Sequence, residues 1–390
     1  MTHKKPGLNT ICTHLGELKD EQFKGAVSPL YMSTSYAYED VEVKRYPRYF
    51  NTPNQQALAQ KMAALEHGEA ALIFGSGMAA VSTSLFAFLQ NGDHVVLQKT
   101  LYGGTSNLVV EEFEKFGIKY SFAKDLSAEA FEHEILENTK VIYIETPSNP
   151  LLTVTDIEAV AKLAKERRLV SMIDNTFASP VNQNPIDFGI DVVIHSATKY
   201  MGGHSDILAG AVISSEEKID RIFQLAKNFG GSLSDYTVWL LERSLKTMGL
   251  RVKAQNENAQ KLAEYLEKNE LVKKVYYPGL ASHDGHELAK KQMHGFGGMM
   301  SFELKDLDSQ AFMKYLKLIK PSMSLAGVES TILSPAKTSH ALLTPEDRAA
   351  QGISDKLMRF SVGIEEAEDL IADIEQALEE TKKDMLDVRL

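Results

Sequence analysis

Cysteine is nearly missing from this chain. Its 390 residues include one, Cys12, so neither an intrachain disulfide nor a cysteine metal cluster can form. That scarcity fits a reducing compartment, and a cytoplasmic location is expected. Long apolar runs are missing too, since no window approaches the ~20 apolar residues that a bilayer crossing needs. The start, Met1-Thr2-His3-Lys4-Lys5-Pro6, is basic and lacks the apolar core of a secretory signal. Positive charge is in deficit. Lys plus Arg is 42 against 53 Asp plus Glu, a formal net charge of −11, which argues against nucleic acid or an anionic membrane as main partner. The 11 histidines are scattered, no pair has a ligand spacing on a convincing helix, and no metal site is expected.

What is present is ordinary globular material: 44% hydrophobic and 24% charged residues, enough for two or three domains. The first fifty or so residues read as an irregular arm crowded with Tyr31, Tyr36, Tyr38, Tyr46, Tyr49 and Phe50. So much aromatic surface predicts packing on a partner, with a second subunit the candidate. From residue 54 helices and short apolar strands alternate. Helices are predicted over 54–67, 77–89, 104–116 and 156–167, and strands over 70–74, 94–97, 119–122, 141–144, 169–173 and 192–194. Near-continuous apolar strands between amphipathic helices predict a mainly parallel sheet buried on both faces, hence an α/β domain. A polar helix over 251–268 leads away. Strands over 272–276, 298–302 and 358–362, with helices near 310–318 and 366–378, predict a smaller α+β unit. The expected division is an arm over 1–53, a large α/β domain over 54–250 and a C-terminal α+β domain over 251–390.

The chemistry concentrates in Ile194-His195-Ser196-Ala197-Thr198-Lys199-Tyr200-Met201-Gly202-Gly203. One lysine follows two alternating hydroxyls and precedes a glycine pair. Upstream, the apolar strand ending Met172-Ile173-Asp174 delivers a carboxylate at its C-terminal end. Taken singly, Lys199 reads as a solvated loop residue and Asp174 as a helix cap or ion-pair partner. Taken together they suit pyridoxal 5′-phosphate (PLP): the amine condenses with the aldehyde, and the carboxylate keeps the ring nitrogen protonated. The turn Phe74-Gly75-Ser76-Gly77-Met78 stands between a strand and a helix, so the helix's first N–H groups can converge on a phosphate. A dinucleotide site is the other reading of that turn, but the glycine spacing differs from the usual fingerprint. Ser196 and Thr198 supply further phosphate donors, and Tyr46 and Arg48 in the arm are a third candidate set.

At this point the residues resemble a known family. Tyr46-Pro47-Arg48, Gly75-Ser76-Gly77-Met78, Leu101-Tyr102-Gly103-Gly104-Thr105, Glu145-Thr146-Pro147-Ser148-Asn149-Pro150, Asp174-Asn175-Thr176, Ser196-Ala197-Thr198-Lys199, Tyr277-Pro278-Gly279-Leu280, Ser324-Leu325-Ala326-Gly327 and Arg359-Phe360-Ser361-Val362-Gly363 occur in one order. The pattern is similar to the Cys/Met-metabolism γ-family of fold-type I PLP enzymes, which includes cystathionine γ-synthase, cystathionine β- and γ-lyases, methionine γ-lyase and O-acetylhomoserine sulfhydrylase. The resemblance implies Lys199 as the cofactor lysine and proton carrier, with Tyr102 stacked on the ring as a second acid or base. It implies cofactor contacts from Gly77, Met78, Asp174, Ser196 and Thr198, and from Tyr46 and Arg48 reaching a neighbouring subunit. Asn149, Ser324 and Arg359 would bind the substrate, Arg359 taking its carboxylate. A homotetramer built as a dimer of dimers is implied.

The same likeness frames the reaction. Where cystathionine-using relatives carry charged groups, this chain has Arg45, Asn107 and Met323. The leading expectation is a carbon–sulfur lyase of transsulfuration acting on cystathionine or a related thioether amino acid. A γ-replacement enzyme is the alternative within the class, and a non-catalytic PLP-binding protein is the alternative outside it.

Overall fold

A computed structural model describes residues 6–338, 341 and 344–387; most of the basic start, residues 1–5, lies outside them. Two compact units form, and neither is continuous along the chain. The first gathers the described residues up to Glu145, with Asp156–Gly202 and Asp206–Leu250. The second takes Thr146–Thr155, Gly203–Ser205 and the described residues from Arg251 on.

The first unit is built on seven strands: β1 Ala70–Phe74, β2 His94–Leu97, β3 Lys119–Phe122, β4 Thr139–Glu145, β5 Val170–Asp174, β6 Val192–His195 and β7 Gly210–Ser214. Their spatial order is β1-β7-β6-β5-β4-β2-β3. All run parallel except β7, which is antiparallel to both β1 and β6. Strands β2, β6 and β7 are buried at every residue, as a sheet covered on both faces requires. Val95, Leu97, Val141, Tyr143, Met172, Val192, Ile194 and Val212 share one core. Each fully buried side chain of this size contributes roughly 1.5–3 kcal/mol.

Most predicted elements recur with ends shifted by at most three residues. The departures have physical causes. Strand β7 and the helices Glu216–Phe229 and Asp235–Leu245 have no counterpart in the sequence reading, and an apolar run alone does not disclose strand direction. The helix expected over 104–116 is α-helical only from Gly103 to Glu112. It tightens into a 3₁₀ turn over Phe113–Phe116 before Gly117, at φ 67°, ends it.

The second unit carries β8 Val272–Tyr276, β9 Met299–Leu304, β10 Lys320–Pro321, β11 Thr331–Leu333 and β12 Leu357–Ser361, in order β10-β11-β12-β9-β8. Its core joins Leu262, Leu266, Phe302, Phe312, Met358, Phe360 and Ile374. The final helix runs Ala367–Asp387, well beyond the 366–378 expected.

The helix Pro53–Leu65 ties the arm to the first unit. Its N-cap Thr52 accepts the Gln55 N–H, while Gln55 Oε1 accepts the Thr52 N–H at 3.1 Å, a reciprocal capping box with Pro53 at the first helical position. The Thr52 hydroxyl also donates to Asp235. Farther along, fully buried Lys61 donates to the Cys12 carbonyl at 3.0 Å and lies 3.9 Å from Glu242, which accepts from Ser28 at 2.8 Å. Burial pushes the Lys61 pKa down. Thr52→Ala removes the cap and the Asp235 bond together, so it should cost about 1–2 kcal/mol. Thermal melting of the variant beside the parent checks this; an unchanged midpoint contradicts it.

Candidate active site

In an open sheet of this kind, ligands bind beyond the carboxyl ends of the parallel strands. Four such ends carry polar groups here: β1 leads into Gly75–Met78, β4 ends at Glu145, β5 at Asp174, and β6 runs into Ser196–Lys199. Lys199 sits in a tight turn in which its N–H donates to the Ser196 carbonyl at 3.1 Å and the Gly202 N–H to Ala197 at 2.8 Å. Thr198 is fixed by its neighbour across the turn, its hydroxyl exchanging bonds with the Ala209 carbonyl and N–H at 3.2 and 3.1 Å. Asp174 is buried and accepts the Thr176 N–H at 3.0 Å. The Thr176 hydroxyl in turn accepts the Ser196 N–H at 2.8 Å, bridging the ends of β5 and β6.

Desolvation raises the Asp174 pKa above the usual carboxylate range; the bonds from Thr176 and the proximity of His195 and Lys199 pull the other way. A carboxylate in that position gains from a cation placed against it.

The N-terminus of the helix Gly77–Phe88 is capped by Ser76, whose hydroxyl accepts the Ala79 N–H at 3.0 Å. A side chain at Gly77 would meet Ser196 Cβ at 2.8 Å, so glycine there lets the helix terminus approach Ser196. Tyr102 precedes the helix Gly103–Glu112, and its ring is 46% exposed. A side chain at Gly104 would strike the Tyr102 ring at 2.5 Å and the Met78 sulfur at 3.0 Å, so Tyr102 and Met78 converge over a bare backbone. Glu145 fixes this tyrosine by accepting its N–H at 2.7 Å.

Glu145 and Thr176 were not singled out by sequence reasoning, although both lie inside the motifs that drew attention. Tyr46 and Arg48 flank Pro47 at a 3₁₀ turn of the arm. Arg48 is exposed, donates to the Lys227 carbonyl and stacks on Tyr46 and Tyr49 at 5.7 and 5.0 Å.

The second unit holds a separate constellation. Arg359, on β12, is buried and donates to Asn149 Oδ1 at 3.1 Å and to the Ser324 carbonyl at 3.0 Å. Ser301, paired with Arg359 across β9 and β12, donates to the Pro150 carbonyl at 2.7 Å and so holds the segment bearing Asn149. Ser324 and Ala326 lie in the left-handed region at φ 77° and 63°. Strain of this kind, about 1–3 kcal/mol per residue, persists only where neighbours enforce it. Here Arg359 grips the Ser324 carbonyl and Ser361 accepts the Ala326 N–H at 2.7 Å. No group of three or more metal-ligating side chains occurs among the described residues, and no helix among them is long and apolar enough to cross a membrane.

An amine that can hold a carbonyl carbon, a desolvated carboxylate seeking a cation, and a glycine-opened helix terminus suit PLP. The fold and these donors place the protein among the fold-type I vitamin B6 enzymes. A family model described as Cys/Met metabolism PLP-dependent enzyme matches residues 9–379, and the chain belongs to that family. It is 44% identical over 375 residues to cystathionine γ-lyase of Bacillus subtilis, covering 95% of this chain and 98% of that protein. It is 43% identical over 379 residues to cystathionine β-lyase of the same organism, covering 96% of each. The crystal structure of cystathionine γ-lyase from Lactobacillus plantarum complexed with L-serine superposes with a TM-score of 0.93 at 38% identity, covering 97% of this chain and all of that one. PLP is the cofactor and the protein is an enzyme, which displaces the non-catalytic reading.

Because the folded-state pKa of Asp174 is raised, the ionised carboxylate weakens the cofactor-free fold above that pKa, and the penalty fades as pH falls through it. Asp174→Asn should therefore melt higher than the parent at pH 7 when both are stripped of cofactor, and the gap should close toward acid pH. A gap that does not change with pH contradicts this account.

Proposed function

We propose that this enzyme is a carbon–sulfur lyase of transsulfuration that cleaves cystathionine or a related thioether amino acid. One observation carries the reading: a buried arginine, aligned by Asn149 and the Ser324 carbonyl, offers a carboxylate clamp that cofactor storage alone does not need. The similarity to both a β- and a γ-lyase of cystathionine supports the substrate class.

Lys199 would hold the cofactor's carbonyl carbon, Asp174 its ring nitrogen, and Gly77, Met78, Ser196 and Thr198 its phosphate. When bound, the cofactor supplies an electron sink that acidifies the substrate Cα proton. Lys199 Nζ takes that proton. Cleavage at Cβ then needs only departure of the sulfur, whereas cleavage at Cγ needs Lys199 to hand on the first proton and, as the free amine again, take another from Cβ. Tyr102, held by Glu145, is the second proton carrier and the stacking surface. Arg359 binds the substrate carboxylate and Asn149 keeps the guanidinium oriented, with Ser324 beside them.

The working form is a homotetramer in the cytoplasm, a dimer of dimers in which Tyr46 and Arg48 reach the neighbour's phosphate. Their exposure on an arm that also bares Tyr31 and Tyr38 supports this.

Incubating the purified holoenzyme with L-cystathionine tests the proposal. Pyruvate with homocysteine marks β-cleavage, and 2-oxobutanoate with cysteine marks γ-cleavage. Turnover seen only with an acylated homoserine plus a thiol replaces the lyase reading with γ-replacement. Lys199→Ala should release no keto acid and take no borohydride label; label on another residue refutes its assignment. Arg359→Ala should raise KM about 30- to 1,000-fold, the loss of ~2–4 kcal/mol expected when a buried charge partner is removed. Steady-state kinetics with unchanged KM would rule out the clamp.

A further inference from the structure

Behind the strand ends of the first unit lies a buried carboxyl group with no part in the chemistry above. Glu66, the C-cap of the helix Pro53–Leu65, is fully buried. Its Oε1 accepts from His195 Nε2 and from Asn175 Nδ2, the latter at 2.8 Å. The other oxygen, Oε2, is buried with no hydrogen-bond partner among the described residues. His195 and Asn175 are themselves buried. Asn175 is held further by Gln183, whose side-chain amide donates to it at 2.8 Å and whose backbone carbonyl accepts from it at 2.9 Å. A buried carboxylate is costly to keep, and removing its partners costs more.

The two donors flank the cofactor residues. His195 directly precedes Ser196, and Asn175 directly follows Asp174. One carboxylate oxygen thus grips the neighbour of each of two residues assigned to the cofactor. We propose that Glu66 is a positioning residue: by holding His195 and Asn175 together, it fixes Asp174 and Ser196 relative to each other and so sets the cofactor's seat. This rests on the reading that Asp174 holds the ring nitrogen. The bridges between Thr176 and Ser196 and between the Asn175 N–H and Ile194 carbonyl, at 2.8 and 2.9 Å, join the same two strand ends. His195 is also one of the groups that favour the ionised form of Asp174, so its placement reaches the carboxylate electrostatically as well.

The test titrates pyridoxal 5′-phosphate into the full-length protein stripped of cofactor, reading affinity and the visible absorbance band, with melting of the stripped form alongside. Glu66→Gln and His195→Asn should each weaken cofactor binding about tenfold or more, as losses of supporting contacts do, and displace the band. His195→Gln carries an amide nitrogen close to where the ring Nε2 stood and should recover most of the affinity. Parent-like affinity and band in Glu66→Gln and His195→Asn, with only the melting lowered, would make the contact merely structural and overturn the proposal. Equal defects in the two His195 variants would overturn it as well. If Glu66→Gln does not fold, the two His195 variants decide between these outcomes. Asp174→Asn separates the two levels: cofactor binding unchanged there defeats the site reading itself, whereas a loss there without one at Glu66 and His195 defeats this inference only.

Discussion

The site depends on a buried carboxylate. Asp174 ends an inner strand of a sheet covered on both faces, and desolvation sets its pKa against ionisation. Left alone, such a group would protonate or weaken the fold. The chain instead surrounds it with groups that favour charge: the Thr176 N–H and hydroxyl, His195 and Lys199. The balance remains on the raised side, so the carboxylate has electrostatic capacity left for a bound cation. A ring nitrogen that must stay protonated to draw electrons is such a cation.

Rigidity on the first unit follows from the same need. Parallel strands bring Glu145, Asp174 and Ser196 to one edge by topology alone, but topology fixes positions only to within a residue's reach. Side chain to backbone bonds supply the rest: Glu145 to the Tyr102 N–H, Thr176 to the Ser196 N–H, Thr198 to Ala209. In each, one partner is a backbone group, which cannot change rotamer. The second unit uses the same device to hold an arginine. Arg359 commits one N–H to Asn149 and one to a carbonyl whose residue is held at positive φ, leaving the guanidinium with a fixed orientation.

Much of the frame was legible in the sequence because its signals are local. Strands β2, β3 and β8 occupy the predicted residues, since four- and five-residue apolar or alternating runs bounded by turns have few other readings. The antiparallel β7 was not legible, because strand direction is decided by partners far along the chain. Lys199 and Asp174 could be picked out by chemistry, as an amine and a carboxylate in suitable flanks. The Arg359 to Asn149 bond spans 210 positions, and only family likeness drew those residues together. Glu66 left no signal at all. At the end of an amphipathic helix, in Leu65-Glu66-His67, a glutamate reads as a solvated residue, and its burial emerges only once β5 and β6 lie across it.

The choice between cleavage positions turns on the part of the substrate beyond the reacting carbons. The proton chemistry is shared: one amine suffices for β-cleavage, and the same amine acting twice serves γ-cleavage. Nothing at Lys199 or Asp174 needs to differ between the two outcomes. Met323 is 71% exposed and apolar, and Arg45 donates to the Asn51 carbonyl and to Gln56. An unbranched thioether side chain adapts to several partners and rejects few.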